Sequence, residues 1–344
     1  MTDVTQDKVF STDKPLRQAA EATDLPIGAA VNMAALAGEA VYTETLSREF
    51  SACVAENAFK PSEVWTGPRE YDFSETDRLA DFAGQHGMLL RGHTLVWHQQ
   101  TPRWFAREGQ SIPEGDLRGL LRDYIHAIVG RYIGRIAHWD VVNEAISDPG
   151  EDGSAPVLRE ESIWHRALGP DYLRQAFEWA HEADPAARLY YNDYEIEATG
   201  PKSDAVYALL QRLIADGVPI HGIGFQGHLL NGWRAGETHR ENIRRFVDMG
   251  LEWAITEADI RMQLDGADPT DEQLATQAAG YEDLTRLCLT EPNCRGLIFW
   301  GFTDAHSWIP GFRKGWGAAL PFDELYRPKP AYRAIQAALA TGAE

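Results

Sequence analysis

Residues 138–144 read HWDVVNE, a mainly apolar run with two adjacent valines that ends in an amide and a carboxylate. Valine and tryptophan favour extended structure, so this stretch predicts a short buried strand. The stretch EWAITEADI at 252–260 has the same form, with Glu257 following its apolar run. Each stretch therefore predicts a strand with a carboxylate, Glu144 or Glu257, at or near its C-terminal end.

Six further β-rich runs alternate with longer helical patterns along the 344 residues. These runs lie at 26–32, 51–57, 88–97, 188–193, 222–228 and 296–302, and the clearest helical patterns at 114–132, 171–183, 202–216, 239–249 and 272–290. Thr238 and Glu241 predict a capping box for the 239–249 helix. Eight strands that alternate with helices predict a single (β/α)8 TIM barrel over residues 25–344. Residues 1–24 are expected to form a helix that closes the barrel floor or a partly ordered N-terminal arm.

The composition restricts the partners that the protein can have. With 44% hydrophobic residues the chain can bury a sizeable core, and its formal net charge is −20. That charge argues against nucleic acid and against anionic lipid as partners, whereas a neutral polysaccharide is compatible with it. The eleven tryptophans are expected to divide between core packing and sugar-stacking platforms. We expect a monomer.

Neither a membrane span nor a metal site is expected. No apolar run approaches about 18 residues, and the N-terminal stretch MTDVTQDKVFSTDKPLRQAA has no hydrophobic segment that could serve as a signal peptide. Cys53, Cys288 and Cys294 show neither a CxxC motif nor a His/Cys metal spacing. A zinc site is therefore not expected.

Polar and aromatic residues stand at the C-terminal ends of the predicted strands, which is where a barrel of this kind carries its chemistry. They are Glu56 and Asn57 on the second strand, His93, Trp97 and His98 on the third, Asn143 and Glu144 on the fourth, Gln226 and His228 on the sixth, Glu257 and Asp259 on the seventh, and Trp300 on the eighth. Taken singly, a histidine could be a satisfied core residue and a glutamate a salt-bridged one. A scatter of core polar residues would not favour one end of every strand, so the set predicts an active site.

The two glutamates match the needs of glycoside hydrolysis. Strands four and seven stand across the barrel mouth from each other, so Glu144 and Glu257 can act as acid/base and nucleophile. Asn143 can donate to the sugar hydroxyl beside the anomeric carbon, a contact that strengthens in the transition state. Asp259 is expected to orient His228, which would in turn hold the Glu257 carboxylate ionised.

The sequence resembles glycoside hydrolase family 10, the β-1,4-xylanases, from about Leu25 to Leu339. The matching segments are ENAFK (56–60), HGMLLRGHTLVWHQQTP (86–102), WDVVNEA (139–145), YNDY (191–194), GIGFQGH (222–228), ITEADIR (255–261), FWGFTDAHSW (299–308) and PKPAYRAI (328–335). Pro61 departs from the tryptophan that is usual in the family, and Trp65 is expected to substitute for it in space. Ala258 replaces the usual leucine and should affect packing only, since it points away from the cleft.

The resemblance implies a role for each matching residue. Glu144 would be the acid/base and Glu257 the nucleophile. The glycone sugars would be bound by Glu56, Asn57 and Lys60, under an aromatic wall formed by Trp300 and Trp308. The cleavage point would be lined by His93, Trp97, Gln100 and Asn143; the nucleophile would be held by Gln226 and His228, with Asp259 behind; and Tyr194 would reach toward the leaving group. The loop at 306–317 is expected to cap the cleft.

The predicted function is retaining endo-β-1,4-xylanase activity on xylan and xylo-oligosaccharides, without a cofactor. The choice of xylan follows from the resemblance, since residue types alone do not distinguish xylan from cellulose. A β-glucanase or mannanase with the same two glutamates is the nearest alternative. A non-catalytic sugar-binding barrel would be expected to lose one glutamate, and a purely structural scaffold would not explain the polar strand ends.

The resemblance also implies a disulfide between Cys288 and Cys294, with two unpaired thiols near a turn as the alternative. Cys53 lies within the second predicted strand and should be a buried thiol. A disulfide favours an oxidising compartment. We therefore expect a secreted or periplasmic enzyme whose signal peptide is absent from this sequence, with a cytoplasmic enzyme as the alternative.

Overall fold

Eight parallel strands form a closed barrel in the computed structural model, which describes residues 14–106 and 114–342. The barrel strands are β1 (Ile27–Val31), β2 (Ala52–Ala55), β3 (Leu89–Trp97), β4 (Ile136–Asn143), β5 (Arg188–Asp193), β6 (Gly222–Phe225), β7 (Glu252–Gln263) and β8 (Cys294–Phe299). Each strand pairs with the next, and β8 pairs with both β7 and β1, which closes the ring. The predicted (β/α)8 TIM barrel is confirmed, with all eight strands where the sequence pattern put them.

Helices surround the barrel and connect its strands. They are α1 (Leu16–Ala19), α2 (Met33–Gly38), α3 (Ala40–Glu49), α4 (Pro61–Val64), α5 (Ser74–Gln85), α6 (Glu114–Arg131), α7 (Ile163–Leu168), α8 (Tyr172–Ala183), α9 (Pro201–Ala215), α10 (Glu237–Asp248), α11 (Asp271–Thr290), α12 (Ile309–Phe312) and α13 (Pro330–Thr341). Short 3₁₀ turns lie at Arg103–Ala106 and Asp304–His306, and short strands outside the barrel at Trp65–Gly67, Glu70–Tyr71, His228–Leu230 and Trp316–Gly317. The five predicted helices correspond to α6, α8, α9, α10 and α11.

The predicted capping box of α10 is wrong. This helix begins at Glu237, before the predicted start, so Thr238 lies inside its first turn. The imidazole of His239 instead accepts the backbone N–H of Gly236, at 3.0 Å. A Thr–Gln box does cap α11, where Thr270 Oγ1 accepts from the backbone N of Gln273 at 3.2 Å.

Helix α1 packs at the floor of the barrel. The backbone N of Leu16 donates to Glu49 Oε2 at 3.0 Å, and the hydroxyl of Tyr332 on α13 donates to the same oxygen at 2.9 Å. Glu49 ends α3 immediately before β2, so these contacts lie at the N-terminal end of the strands, opposite the end that carries catalysis in such barrels. This packing agrees with a helix that closes the floor; residues 1–13 lie outside the described residues, and the boundary at residue 25 stays a prediction.

All three cysteines are free thiols, which contradicts the disulfide that the resemblance implied. Cys288 on α11 and Cys294 at the start of β8 do meet, but as hydrogen-bonded thiols. Burial, together with Cys294, raises the pKa of Cys288 well above its ordinary value. Cys53 is a buried thiol, as predicted.

No helix in the ranges 14–106 and 114–342 is long and apolar enough to cross a membrane. Within the same ranges, no group of three His, Cys, Asp or Glu side chains is arranged to hold a metal ion.

Candidate active site

A cleft of about 460 Å³ opens at the carboxyl ends of the barrel strands. It brings together every residue for which a catalytic or sugar-binding role was predicted, namely Glu56, Asn57, Lys60, His93, Trp97, Gln100, Asn143, Glu144, Tyr194, Gln226, His228, Glu257, Trp300 and Trp308. Gln99, Glu195, Arg261 and Phe312 also line the cleft and were not predicted. Residues from β2 to β8 thus converge on one cavity because parallel strands present their carboxyl ends at the same face.

Glu144 follows the last residue of β4 and is only 7% exposed. The indole N–H of Trp97 donates to its Oε2 at 2.8 Å, and the side-chain amide of Gln226 donates to its Oε1 at 2.9 Å. Its backbone φ is +55°, in the left-handed region, which costs a non-glycine residue roughly 1–3 kcal/mol. Such a conformation persists only where the surroundings impose it, so the neighbouring residues hold this carboxylate in one position.

Glu257 lies on β7 and is 4% exposed. The side-chain amide of Asn192 donates to its Oε1 at 2.7 Å, and His228 Nε2 lies 3.3 Å from its Oε2. The Nδ1 atom of His93 is 3.8 Å from Oε1. Burial by itself raises the pKa of Glu257, but the imidazoles of His93 and His228 outweigh burial and lower it below its ordinary value. An ionised carboxylate held in this way is suited to nucleophilic attack.

His228 lies between two carboxylates. Its Nδ1 is 2.8 Å from Asp259 Oδ2, which also accepts the indole N–H of Trp308 at 2.9 Å. Burial tends to lower the pKa of His228, but Asp259 and then Glu257 raise it to about 10. The imidazole is therefore protonated at neutral pH and places a positive charge beside Glu257, which is the arrangement that the sequence predicted for this trio.

Three amide side chains join the two carboxylates into one network. Asn192 Nδ2 donates to both Glu257 Oε1 and Asn143 Oδ1, the latter at 2.8 Å. Gln226 Nε2 donates to Glu144 and lies 3.3 Å from the same Asn143 oxygen. Asn192 was not assigned a role from the sequence, although it belongs to the segment 191–194 that ends the fifth strand. Its place in that motif was the signal that could have identified it.

Gly224 on β6 makes the room that Asn192 needs. A Cβ atom at Gly224 would come within 2.1 Å of Asn192 Oδ1, a contact that no side chain tolerates. The hydroxyl of Thr256 on β7 donates a hydrogen bond to Asn192 Oδ1 at 2.7 Å. The amide is thereby fixed with its nitrogen toward the carboxylate of Glu257.

The predicted glycone residues cluster at the end of β2. Lys60 Nζ donates to Asn57 Oδ1 at 3.0 Å and lies 5.0 Å from the centre of the Trp97 ring and 5.7 Å from that of Trp300. Burial raises the pKa of Glu56, with Lys60 acting against it. An ammonium, an amide and a carboxyl group beside indole rings provide the donors, acceptors and apolar faces that a sugar requires.

The expectation for Trp65 is wrong, whereas that for Ala258 is confirmed. Trp65 is 1% exposed and stacks on Tyr124 with ring centres 4.8 Å apart, so it belongs to the core and does not reach the cleft. Pro61 takes the first position of α4, where proline is readily accommodated. Ala258 is buried and is not among the residues that line the cleft, which agrees with the prediction that it points away from it.

Aromatic rings pack against the two histidines beside the nucleophile. Trp300 lies edge-on to His93, with ring centres 5.2 Å apart, and Trp308 is 5.1 Å from His228. Phe312 stacks on Trp308 at 4.7 Å but is 65% exposed. The predicted capping loop therefore does supply one wall of the cleft, through Trp308 and Phe312.

Comparisons with known proteins agree with this fold. A family model described as glycosyl hydrolase family 10 matches residues 15–338. Endo-1,4-β-xylanase B of Thermotoga neapolitana is 42% identical, over 95% of this chain and 92% of that protein, and endo-1,4-β-xylanase B of Paenibacillus barcinonensis is 36% identical, over 94% and 98%. The crystal structure of xylanase 10B from Thermotoga petrophila in complex with xylobiose matches with a TM-score of 0.90 and 40% identity, covering 97% of this chain and 100% of that one.

Proposed function

Because this chain belongs to glycosyl hydrolase family 10, we propose that it is an endo-1,4-β-xylanase that hydrolyses internal bonds of xylan with retention of anomeric configuration. The observation that carries the proposal is the pair of buried carboxylates in different surroundings, within one cleft. Glu257 lies beside the protonated imidazole of His228, and Glu144 accepts hydrogen bonds from the neutral N–H groups of Trp97 and Gln226. One is suited to attack and the other to proton transfer.

In the first step Glu257 attacks the anomeric carbon while Glu144 protonates the glycosidic oxygen that leaves. A covalent glycosyl-enzyme forms through an oxocarbenium-like transition state. In the second step Glu144, now a carboxylate, removes a proton from water, which attacks the same carbon and releases Glu257. Two inversions give net retention. No step calls on a group other than these side chains and water.

The roles of the two glutamates can be tested by azide rescue. E257A should lose nearly all activity, and azide occupying the vacated space should restore some of it by forming an α-glycosyl azide. E144A, given an aryl xylobioside that needs no acid, should form its glycosyl-enzyme normally and yield a β-glycosyl azide. If the two products are exchanged, the assignment of roles is wrong.

The substrate can be tested by comparing the release of reducing sugar from xylan, carboxymethyl-cellulose and mannan. Trp300 and Trp308 line the cleft, and bulky rings over a bound glycone sugar can exclude the hydroxymethyl group that glucose has and xylose lacks. We expect strong preference for xylan, with xylobiose and xylotriose as main products and an early fall in viscosity. Release of xylose alone from chain ends would rule out the endo mode, and equal rates on the three polymers would rule out the xylan assignment.

We also infer that the protein acts as a monomer and that its cellular compartment depends on whether its substrate is polymeric xylan or imported xylo-oligosaccharides. The cleft is built by one chain, so a partner subunit is not required for chemistry. Polymeric xylan calls for a secreted or periplasmic enzyme, whereas imported xylo-oligosaccharides would suit the cytoplasm. Sedimentation of the purified protein tests the first inference, and fractionation of the source cells tests the second.

A further inference from the structure

The backbone at Glu144 and Ala145 is held by four hydrogen bonds, and two of them come from Arg159. Arg159 Nε donates to the carbonyl oxygen of Glu144 at 3.0 Å, and the backbone N of Arg159 donates to the carbonyl oxygen of Ala145 at 2.8 Å. The other two bonds run from Glu144 N to the carbonyl oxygen of Asn192, at 2.9 Å, and from Ala145 N to the hydroxyl of Tyr191, at 3.2 Å. Every polar group of these two residues' backbone therefore has a fixed partner.

We propose that Arg159 is the positioning residue of the acid/base, an inference that rests on the proposed role of Glu144 as general acid. Glu144 adopts the left-handed φ of +55°, which its own side chain disfavours. The carbonyl that Arg159 holds is that of Glu144 itself, in the peptide bond that joins it to Ala145. By holding this peptide plane, the guanidinium fixes the direction in which the Glu144 side chain leaves the backbone. Proton transfer depends steeply on such placement.

The same guanidinium also reaches the residue predicted to face the leaving group. Arg159 Nη2 donates to the hydroxyl of Tyr194 at 2.9 Å, and that hydroxyl donates to Asp148 Oδ2 at 2.7 Å. The side chain of Arg159 is only 11% exposed, so these contacts are made in a confined space. Arg159 thus ties the acid/base backbone to the tyrosine of the leaving-group side, and both should be displaced together if it is removed.

A purely structural role is the alternative, since Arg159 also lies 3.8 Å from Asp148 Oδ2 and 3.6 Å from Glu161 Oε1. The two roles differ in how they depend on the leaving group. A displaced general acid slows only those substrates whose leaving group needs a proton, whereas a loosened cleft slows all substrates alike.

The experiment measures kcat/KM for a series of aryl β-xylobiosides, from strongly acidic to weakly acidic phenols, and for xylotetraose. R159Q should lower kcat/KM by about 10- to 100-fold for xylotetraose and the weakly acidic phenols, but less than about 3-fold for the most acidic phenol, as expected when a general acid is misplaced. R159K keeps the charge without the planar fork and should show the same split to a smaller degree. It serves if R159Q does not fold.

Arg245 offers a matched control remote from the cleft, because it is also partly buried and donates to Asn242, Asp204 and Ser203. R245Q should leave the dependence on the leaving group unchanged. An equal fall of R159Q and R159K on all substrates, or no fall on any, would overturn the proposal. E144A, run beside them, separates the two inferences. If E144A shows no split, the assignment of Glu144 fails; if it does and the Arg159 variants do not, only the role of Arg159 fails.

Discussion

Replacement of His228 by alanine tests how the nucleophile is kept ionised. The change removes the imidazolium 3.3 Å from Glu257 Oε2. A hydrogen bond to a charged group contributes roughly 1.5–3 kcal/mol, which corresponds to a fall of roughly 10- to 150-fold in kcat/KM. Since His228 is one of the groups that lower the pKa of Glu257, its loss should raise that pKa. A carboxylate nucleophile works only above its pKa, so the acidic limb of the kcat/KM profile should move to higher pH.

The assay is xylotetraose hydrolysis from acidic to neutral pH, with unfolding followed under the same conditions. Folding needs its own measurement because Asp259, which is 0% exposed, would keep only the Trp308 indole as its side-chain donor in the described structure. Breaking a buried ion pair costs roughly 3–5 kcal/mol. H138A is the matched control, since His138 Nε2 lies 3.9 Å from Glu252 at the opposite end of the barrel. Near-normal turnover and an unmoved acidic limb in folded H228A would refute this account of the nucleophile.

Three further outcomes are expected. N192A should lower kcat on xylotetraose by roughly 10- to 100-fold, because it removes the donor 2.7 Å from Glu257 Oε1; wild-type kcat would contradict the network. G224A should destabilise the protein in thermal unfolding and lower activity, since its Cβ would strike Asn192; unchanged melting would contradict this crowding. Alkylation of the denatured, unreduced protein should label all three thiols of Cys53, Cys288 and Cys294. Labelling of only one thiol would show that Cys288 and Cys294 form a disulfide.

The fold and most of the cleft were predictable because both depend on local signals. Short apolar runs ending in polar residues predict strands, and closure of a parallel barrel then gathers those ends at one mouth without any further information. Asn143 and Glu144 are of this kind, since they lie at the strand end that their own flanking residues define. Strand β7, in contrast, continues past Glu257 to Gln263. Even the contact of His228 with Asp259 follows from the parallel pairing of these two residues.

The capping box of α10 failed locally, because the helix begins earlier than predicted. Two other misses, Trp65 and Asn192, concern packing between segments distant in sequence. Trp65 could not be placed from its neighbours, because its position depends on stacking against Tyr124 of α6. Asn192 appears in sequence as one polar residue among aromatics, and its role emerges only when Gly224 and Glu257 come from other strands to meet it. A disulfide likewise depends on how two sulfurs approach each other, which the spacing of cysteines leaves open.

Two identical carboxylates can divide a reaction between them only if their surroundings differ. On the Glu257 side the difference is electrostatic: Asp259 keeps His228 protonated, and the resulting imidazolium makes the ionised carboxylate the stable form. On the Glu144 side it is conformational: the carboxyl group accepts from the uncharged N–H groups of Trp97 and Gln226, and a left-handed backbone sets where its side chain leaves the chain. Exchanging the two roles would thus require moving a charged pair from one wall of the barrel to the other. That is why the azide products, the pH profile and the leaving-group dependence are expected to identify the same assignment independently.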